Sequence, residues 1–241
     1  MPLLEVKDIG KSFGGLQAVR RLSFAVESGE ILGIIGPNGA GKTTAFNMIA
    51  GYFPPDTGAI RFKGEDITGL KPWDISQRKV ARTFQLSKPF GDLTVLENAM
   101  VGGFHHQGSR RAARRKAEEV LGFVGMGAQA AVEAHTLTAT DRKRLELARC
   151  LATDPELLLL DEVVAGATPA EAVAMMEIIR KIRDRGVTII MVEHVMRVVM
   201  GLSHRVLVLH HGETIAVGEP QAVSKDPLVL KAYLGERYGK A

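Results

Sequence analysis

The chain has 241 residues, of which 46% are hydrophobic and 24% charged, with a formal net charge of +4. That composition excludes a mainly disordered chain and supplies core for one large α/β domain or a domain with a sizeable insertion. No apolar run approaches the roughly 20 residues that span a bilayer, Met1-Pro2-Leu3-Leu4-Glu5 carries no basic stretch followed by a long apolar one, and the lone Cys150 cannot form an intrachain disulfide. A soluble cytosolic protein is expected, with Cys150 acting as a small buried hydrophobe.

From Leu3 to Val26, apolar and polar residues alternate around the turns Phe13-Gly14-Gly15 and Glu27-Ser28-Gly29, which predicts antiparallel strands. Ile31-Leu32-Gly33-Ile34-Ile35 then reads as a buried strand, and Thr44 to Ala50 as a helix. Between them, Gly36-Pro37-Asn38-Gly39-Ala40-Gly41-Lys42-Thr43 spells G-x-x-x-x-G-K-[ST], a loop that wraps nucleotide phosphates in backbone N–H groups. The glycines permit positive φ and close approach, and the new helix aims its amides and dipole at the anion. Lys42 is expected to reach the β- and γ-phosphates, Thr43 to place its hydroxyl on Mg²⁺, and Thr44 to complete the phosphate-binding set. ATP or GTP is the expected ligand.

Pro54-Pro55-Asp56-Thr57-Gly58 predicts a turn into a strand at Ala59 to Phe62, which Lys63-Gly64 closes. From Lys88 to Ala152 the pattern is helical. Its basic run, Arg110-Arg111-Ala112-Ala113-Arg114-Arg115-Lys116, faces Glu118 and Glu119 at pairing distance from Arg114 and Arg115. A solvated amphipathic helix is therefore favoured over nucleic-acid or lipid contact, because no aromatic residues interleave for stacking. Leu157 to Leu160 before a helix from Pro169, and Val187 to Val192 before a helix near His194, predict a parallel sheet packed by helices.

The strand Leu157 to Leu160 runs into Asp161-Glu162, and carboxylates at the carboxyl end of a parallel strand lie where open α/β sheets bind ligands. Asp161 is the expected Mg²⁺ partner, and Glu162 is placed to polarise the water that attacks the γ-phosphate. Without the upstream loop, a strand end capped by solvated acids would be the better reading.

The order of the phosphate loop, Gln85 in Arg82-Thr83-Phe84-Gln85, Leu160-Asp161-Glu162, and His194 after Met191-Val192-Glu193 resembles ABC-transporter ATPase subunits over nearly the whole chain. Ala81 to Gln85, Leu93-Thr94-Val95-Leu96-Glu97-Asn98 and the ending Ala232-Tyr233-Leu234-Gly235-Glu236 look like the ATPase subunits of branched-chain amino-acid importers. The resemblance implies that Gln85 contacts Mg²⁺ or the attacking water, that His194 hydrogen-bonds the γ-phosphate, and that Phe13 stacks on adenine; a lone Phe is as often core. It implies an α/β P-loop NTPase core with a parallel sheet, an N-terminal antiparallel β region and a helical subdomain. Residues 1–87 and 153–241 would form the core, and residues 88–152 the subdomain that touches the permease.

The pattern breaks where the family carries Leu-Ser-Gly-Gly-Gln, the signature that completes a partner's ATP site; this chain has Leu137-Thr138-Ala139-Thr140-Asp141. Thr138 can replace a serine hydroxyl, but Ala139 and Thr140 give up backbone freedom, and Asp141 adds a carboxylate near a polyanion. Thr138 and Asp141 also resemble a capping box that opens a helix. Val163-Val164-Ala165-Gly166-Ala167-Thr168-Pro169 departs from the family as well.

The expected protein is thus an ATP- and Mg²⁺-using motor on the cytoplasmic face of the plasma membrane. Its expected partners are integral-membrane permease subunits, a second and different ATPase subunit, and indirectly an extracytoplasmic substrate-binding protein, with no direct nucleic-acid partner. A low-turnover regulatory nucleotide-binding subunit and a soluble ATPase acting on nucleic acid or ribosomes are the alternatives.

Overall fold

The alternation near the start builds a hairpin of β1 (Leu4–Phe13) and β2 (Leu16–Val26), paired from Leu4 with Val26 to Phe13 with Leu16. Leu4 and Val6 are buried two apart, as in a half-buried strand, and a register shift between Val6 and Ile9 moves the buried face to odd positions, so that Ile9 is buried opposite Leu22. The computed structural model describes residues 1–85, 87–105 and 108–234, the side chain of Leu234 excepted, so Gly235 and Glu236 of the family-like ending lie outside the described residues. The chain divides into two units, residues 1–75 with 188–241, and residues 76–187.

In the first unit, β3 (Ile31–Ile35) is wholly buried and leads into the glycine-rich loop and α1 (Lys42–Ile49). β4 (Thr57–Phe62) pairs with the other edge of β1, and β5 (Glu65–Asp66) returns beside β4 through Lys63 and Gly64, whose φ angles are 54° and 83°. These strands form the antiparallel sheet β2-β1-β4-β5. After α2 (Pro72–Gln77) the chain leaves this unit.

In the second unit, β6 (Val80–Arg82) lies parallel to β7 (Leu157–Asp161). The expected helical stretch holds α3 (Val95–Gly103), α4 (Arg110–Phe123) and α5 (Ala139–Leu151), and α6 (Pro169–Asp184) follows β7. Val95, Ala99, Val120, Leu121, Leu145 and Ala148 form their shared core. A Cβ on Gly102 of α3 would stand 2.2 Å from the Arg149 carbonyl of α5, so the glycine lets these helices touch backbone to backbone. α4 is the expected amphipathic helix, with Ala113, Ala117, Val120 and Leu121 buried. Arg114 pairs with Glu118 at 2.8 Å, but Glu119 pairs with Lys116 at 3.4 Å and Arg185 at 3.6 Å instead of Arg115. The i,i+3 alternative and a neighbouring helix end compete for the same carboxylate.

The chain then rejoins the first unit. β8 (Thr188–Val192) lies parallel to β3 in the register Ile31 to Ile189. α7 (Met196–Leu202) follows, and β9 (Arg205–His210) takes the other side of β3, with β10 (Glu213–Gly218) antiparallel at its edge. This last hairpin has no counterpart among the elements expected from the sequence. α8 (Pro220–Val223) and α9 (Pro227–Leu234) end the described chain.

Candidate nucleotide site

The first unit carries the phosphate loop. Gly36, Gly39 and Gly41 all have positive φ, at 152°, 79° and 102°, so the peptide planes turn as no ordinary L-residue run would allow. A Cβ on Gly36 would fall 2.1 Å from the Leu209 carbonyl oxygen, and one on Gly41 would fall 2.5 Å from that of Ala18. The loop is thus pressed between β9 and β2, and the Gly212 N–H holds it from outside by donating to the Ala40 carbonyl at 3.0 Å. Lys42 is buried, and its Nζ donates to the carbonyls of Gly36 at 2.7 Å and Pro37 at 2.9 Å. The ammonium is therefore already inside the curve of the loop. Gly41 begins α1 in the left-handed region with no side-chain cap, which leaves first-turn amides to an anion. Asn38, Gly39 and Thr43 are exposed, and Pro37 and Thr44 are half-buried.

Phe13 stands at the tip of the β1–β2 hairpin, 47% exposed. Its ring meets Phe53 edge-on at 5.3 Å, and Lys11 Nζ lies 5.8 Å from the Phe13 centroid while pairing with Asp56 at 2.6 Å. One face is braced and the ring is not core, which suits stacking on a planar base. His194 is exposed, next to the buried Glu193.

The second unit brings two of the expected residues together: Gln85 donates from Nε2 to Glu162 Oε2 at 3.0 Å. Glu162 sits in the left-handed region at φ 50°, a conformation that costs an ordinary residue about 1–2 kcal/mol and turns its side chain off the end of β7. Asp161 is 3% exposed. Arg82 Nη2 pairs with its carboxylate at 3.0 Å, and the Asp161 N–H donates to Thr83 Oγ1 at 3.0 Å. Burying the acid is thereby compensated by a cation on the adjacent strand. Thr43 in the first unit, and Gln85 and Asp161 in the second, each offer oxygen, the ligand type a hard cation such as Mg²⁺ takes, although Arg82 already takes part of Asp161's capacity.

Several residues escaped the sequence reading. Lys143 of α5 donates to the carbonyls of Glu162 at 2.9 Å and Ala165 at 2.6 Å, and Glu146 of the same helix accepts from the Phe84 N–H at 2.7 Å and from the Ser87 hydroxyl. Neither belongs to a motif, and only the packing of α5 shows their role. Tyr233 of α9 is another: it lines an apolar cavity of about 220 Å³ with Ile35, Met196, Met200 and Val206. Burial pushes its hydroxyl up, opposed by a hydrogen bond from the Gly36 backbone.

The altered signature is a helix start. Thr138 caps α5, accepting from the Asp141 N–H at 3.1 Å and donating to the Asp141 carboxylate at 2.9 Å. Asp141 also faces Arg144 at 3.6 Å, and Thr140 hydrogen-bonds Glu171.

Residues 19–165, which include the phosphate loop, Gln85 and Glu162, match the ABC transporter family, and residues 213–239 match the branched-chain amino acid ATP-binding cassette transporter family. The chain is 38% identical to the high-affinity branched-chain amino acid transport ATP-binding protein BraF of Pseudomonas aeruginosa, and 39% identical to LivG of Salmonella typhimurium, which bears the same description. Each alignment covers 98% of both proteins. Among solved structures, the ADP conformation of an ATP-binding cassette of an ABC transporter superposes with a TM-score of 0.89 at 30% identity, covering 98% of this chain and all of that one. The chain therefore belongs to the ABC-transporter family, as one of its nucleotide-binding ATPase subunits.

Proposed function

We propose that this chain powers an importer of branched-chain or related amino acids from the cytoplasmic face of the membrane, docked on two integral-membrane permease subunits. The observation that carries the substrate class is the match of residues 213–239, a segment separate from the phosphate loop and from Glu162. No helix among the described residues is long and apolar enough to cross a membrane, so in this reading the pore belongs to other chains, and an extracytoplasmic binding protein delivers the solute to it.

The loop amides from Gly36 to Thr44 and Lys42 Nζ bind the β- and γ-phosphates of ATP, the ammonium exchanging the Gly36 and Pro37 carbonyls for phosphate oxygens. Phe13 stacks on adenine. Thr43, Gln85 and Asp161 are the residues that would hold Mg²⁺, whose chemistry there would be to spread the phosphate charge. Glu162 orients water for in-line attack at the γ-phosphorus and takes its proton as the bond to ADP breaks, Gln85 fixes that carboxylate, and His194 contacts the γ-phosphate.

We further propose a companion ATPase subunit different from this one, with the two sites unequal. The Thr138 hydroxyl both donates to and accepts from Asp141, which leaves this signature poor at receiving a companion's γ-phosphate, while the chain's own phosphate loop is complete. Turnover in the assembled complex should fall further with Lys42→Ala than with the equivalent change in the companion. Equal losses would contradict unequal sites.

Purification from gently solubilised native membranes, with mass spectrometry of what accompanies the chain, tests the transport reading. Two permease-like proteins and a second ATPase are expected. Recovery with only ribosomes or DNA-processing proteins would overturn it.

A further inference from the structure

We propose that Glu146 and Lys143 are positioning residues that set the Gln85–Glu162 contact from one face of α5, an inference that rests on the hydrolytic roles assigned above. Glu146 ties down the segment around Gln85. Its Oε1 takes the Phe84 N–H at 2.7 Å on one side, and its Oε2 takes the Ser87 hydroxyl on the other. Lys143, one helical turn earlier, ties down Glu162 from the opposite end, through the carbonyls of Glu162 at 2.9 Å and Ala165 at 2.6 Å. The Gln85–Glu162 hydrogen bond of 3.0 Å closes the ring. Its closure makes the distance between amide and catalytic carboxylate a property of where α5 stands.

The chemistry of Glu146 argues against simple helix filling. Leu145, Leu147 and Ala148 around it are buried, and burial pushes its carboxyl above the ordinary range, opposed by the Ser87 and Phe84 hydrogen bonds and by Arg149 and Lys143. An apolar residue would avoid that desolvation. The carboxylate is instead spent on two bonds that flank a single functional amide. Lys143 acts on Glu162 itself, whose left-handed backbone at φ 50° needs outside support to persist. Because Thr138 caps α5, the strut also runs from the signature residues to the hydrolytic pair, giving a contact at the signature a rigid route to the water-activating carboxylate.

The test is ATP turnover by the membrane complex, with the companion subunit silenced at its phosphate-loop lysine, for Glu146→Ala, Glu146→Gln and Lys143→Met, each alone and combined with Gln85→Ala. Glu146→Ala and Lys143→Met should each lower kcat about fivefold or more with KM for ATP within about twofold, and Glu146→Gln, which keeps an acceptor for Phe84, should recover most of the loss. On the Gln85→Ala background, Glu146→Ala should add less than about a twofold loss, since the group it positions is gone. Equal fold-losses in both backgrounds, an effect on KM alone, or unchanged kcat would overturn the positioning role. Should Glu146→Ala fail to fold, Ser87→Ala takes its place, with about a twofold to threefold loss in kcat expected and none contradicting the role. Full turnover in Gln85→Ala alone would instead overturn the hydrolytic assignment of Gln85, and the inference with it.

Discussion

The amide of Gln85 and the carboxylate of Glu162, 77 residues apart in sequence, meet in a hydrogen bond of 3.0 Å. The donor fixes one oxygen of the carboxylate, Oε2. Replacing Gln85 by Ala should therefore let Glu162 swing, lowering kcat about tenfold or more while ATP affinity stays within about twofold. Stopped-flow nucleotide binding beside steady-state turnover checks both halves.

Arg82 and Asp161 form a pair with side chains 8% and 3% exposed, at 3.0 Å. Removing one member of a buried pair strands the other charge, at a cost of about 3–5 kcal/mol. Arg82→Ala should shift the urea midpoint accordingly, and adding Asp161→Asn should restore part of the stability. A double variant as unstable as the sum of the two single ones would contradict this pairing.

Gly36 and Gly39 should respond differently to alanine. A Cβ at Gly39 meets nothing within 4 Å, so strain at its φ of 79° is the whole penalty, about 1–2 kcal/mol. At Gly36 the Cβ would also strike the Leu209 carbonyl at 2.1 Å, forcing the loop off β9. Thermal unfolding should rank Gly36→Ala well below Gly39→Ala.

Cys150 is buried, its thiol donates to the Arg82 carbonyl at 3.2 Å, and burial pushes its pKa up to about 12. Its folded pKa lies above the ordinary value near 8.5, so the folded state keeps a proton that the unfolded state gives up. Its contribution to stability is complete below about pH 8.5 and is lost as pH rises toward 12, at about 1.4 kcal/mol per pH unit. Cys150→Ala should flatten that part of the stability profile, and a maleimide should leave the native thiol unmodified at neutral pH.

What was legible in the sequence had local causes. The phosphate loop is contiguous, and its glycines, lysine and flanking strand and helix identify one another. The hairpin closed by Lys63-Gly64, the amphipathic α4 and the buried β7 also carry their pattern within a few residues. The parts that escaped depend on distant packing. Arg82 reaches Asp161 across paired strands, while Lys143 and Glu146 read as ordinary polar positions of a helix until α5 is placed against Phe84 and Glu162. Glu119 chose Lys116 and Arg185 because the second partner arrives from α6's far end. The hairpin of β9 and β10 was missed although Val206 to Leu209 is wholly apolar, since its two-residue turn, His211-Gly212, lacks the Asn or Asp that commonly precedes glycine there.

Hydrolysis by this chain is assigned to Glu162, and the deciding measurement is ATP binding and ATP turnover by the assembled complex carrying Glu162→Gln. The substitution keeps the side chain's shape and removes the base, so ATP should bind with affinity within about threefold of the wild type while turnover falls by about two orders of magnitude or more. Turnover near the wild-type rate with binding intact would take the hydrolytic role away from Glu162, and the proposed mechanism with it.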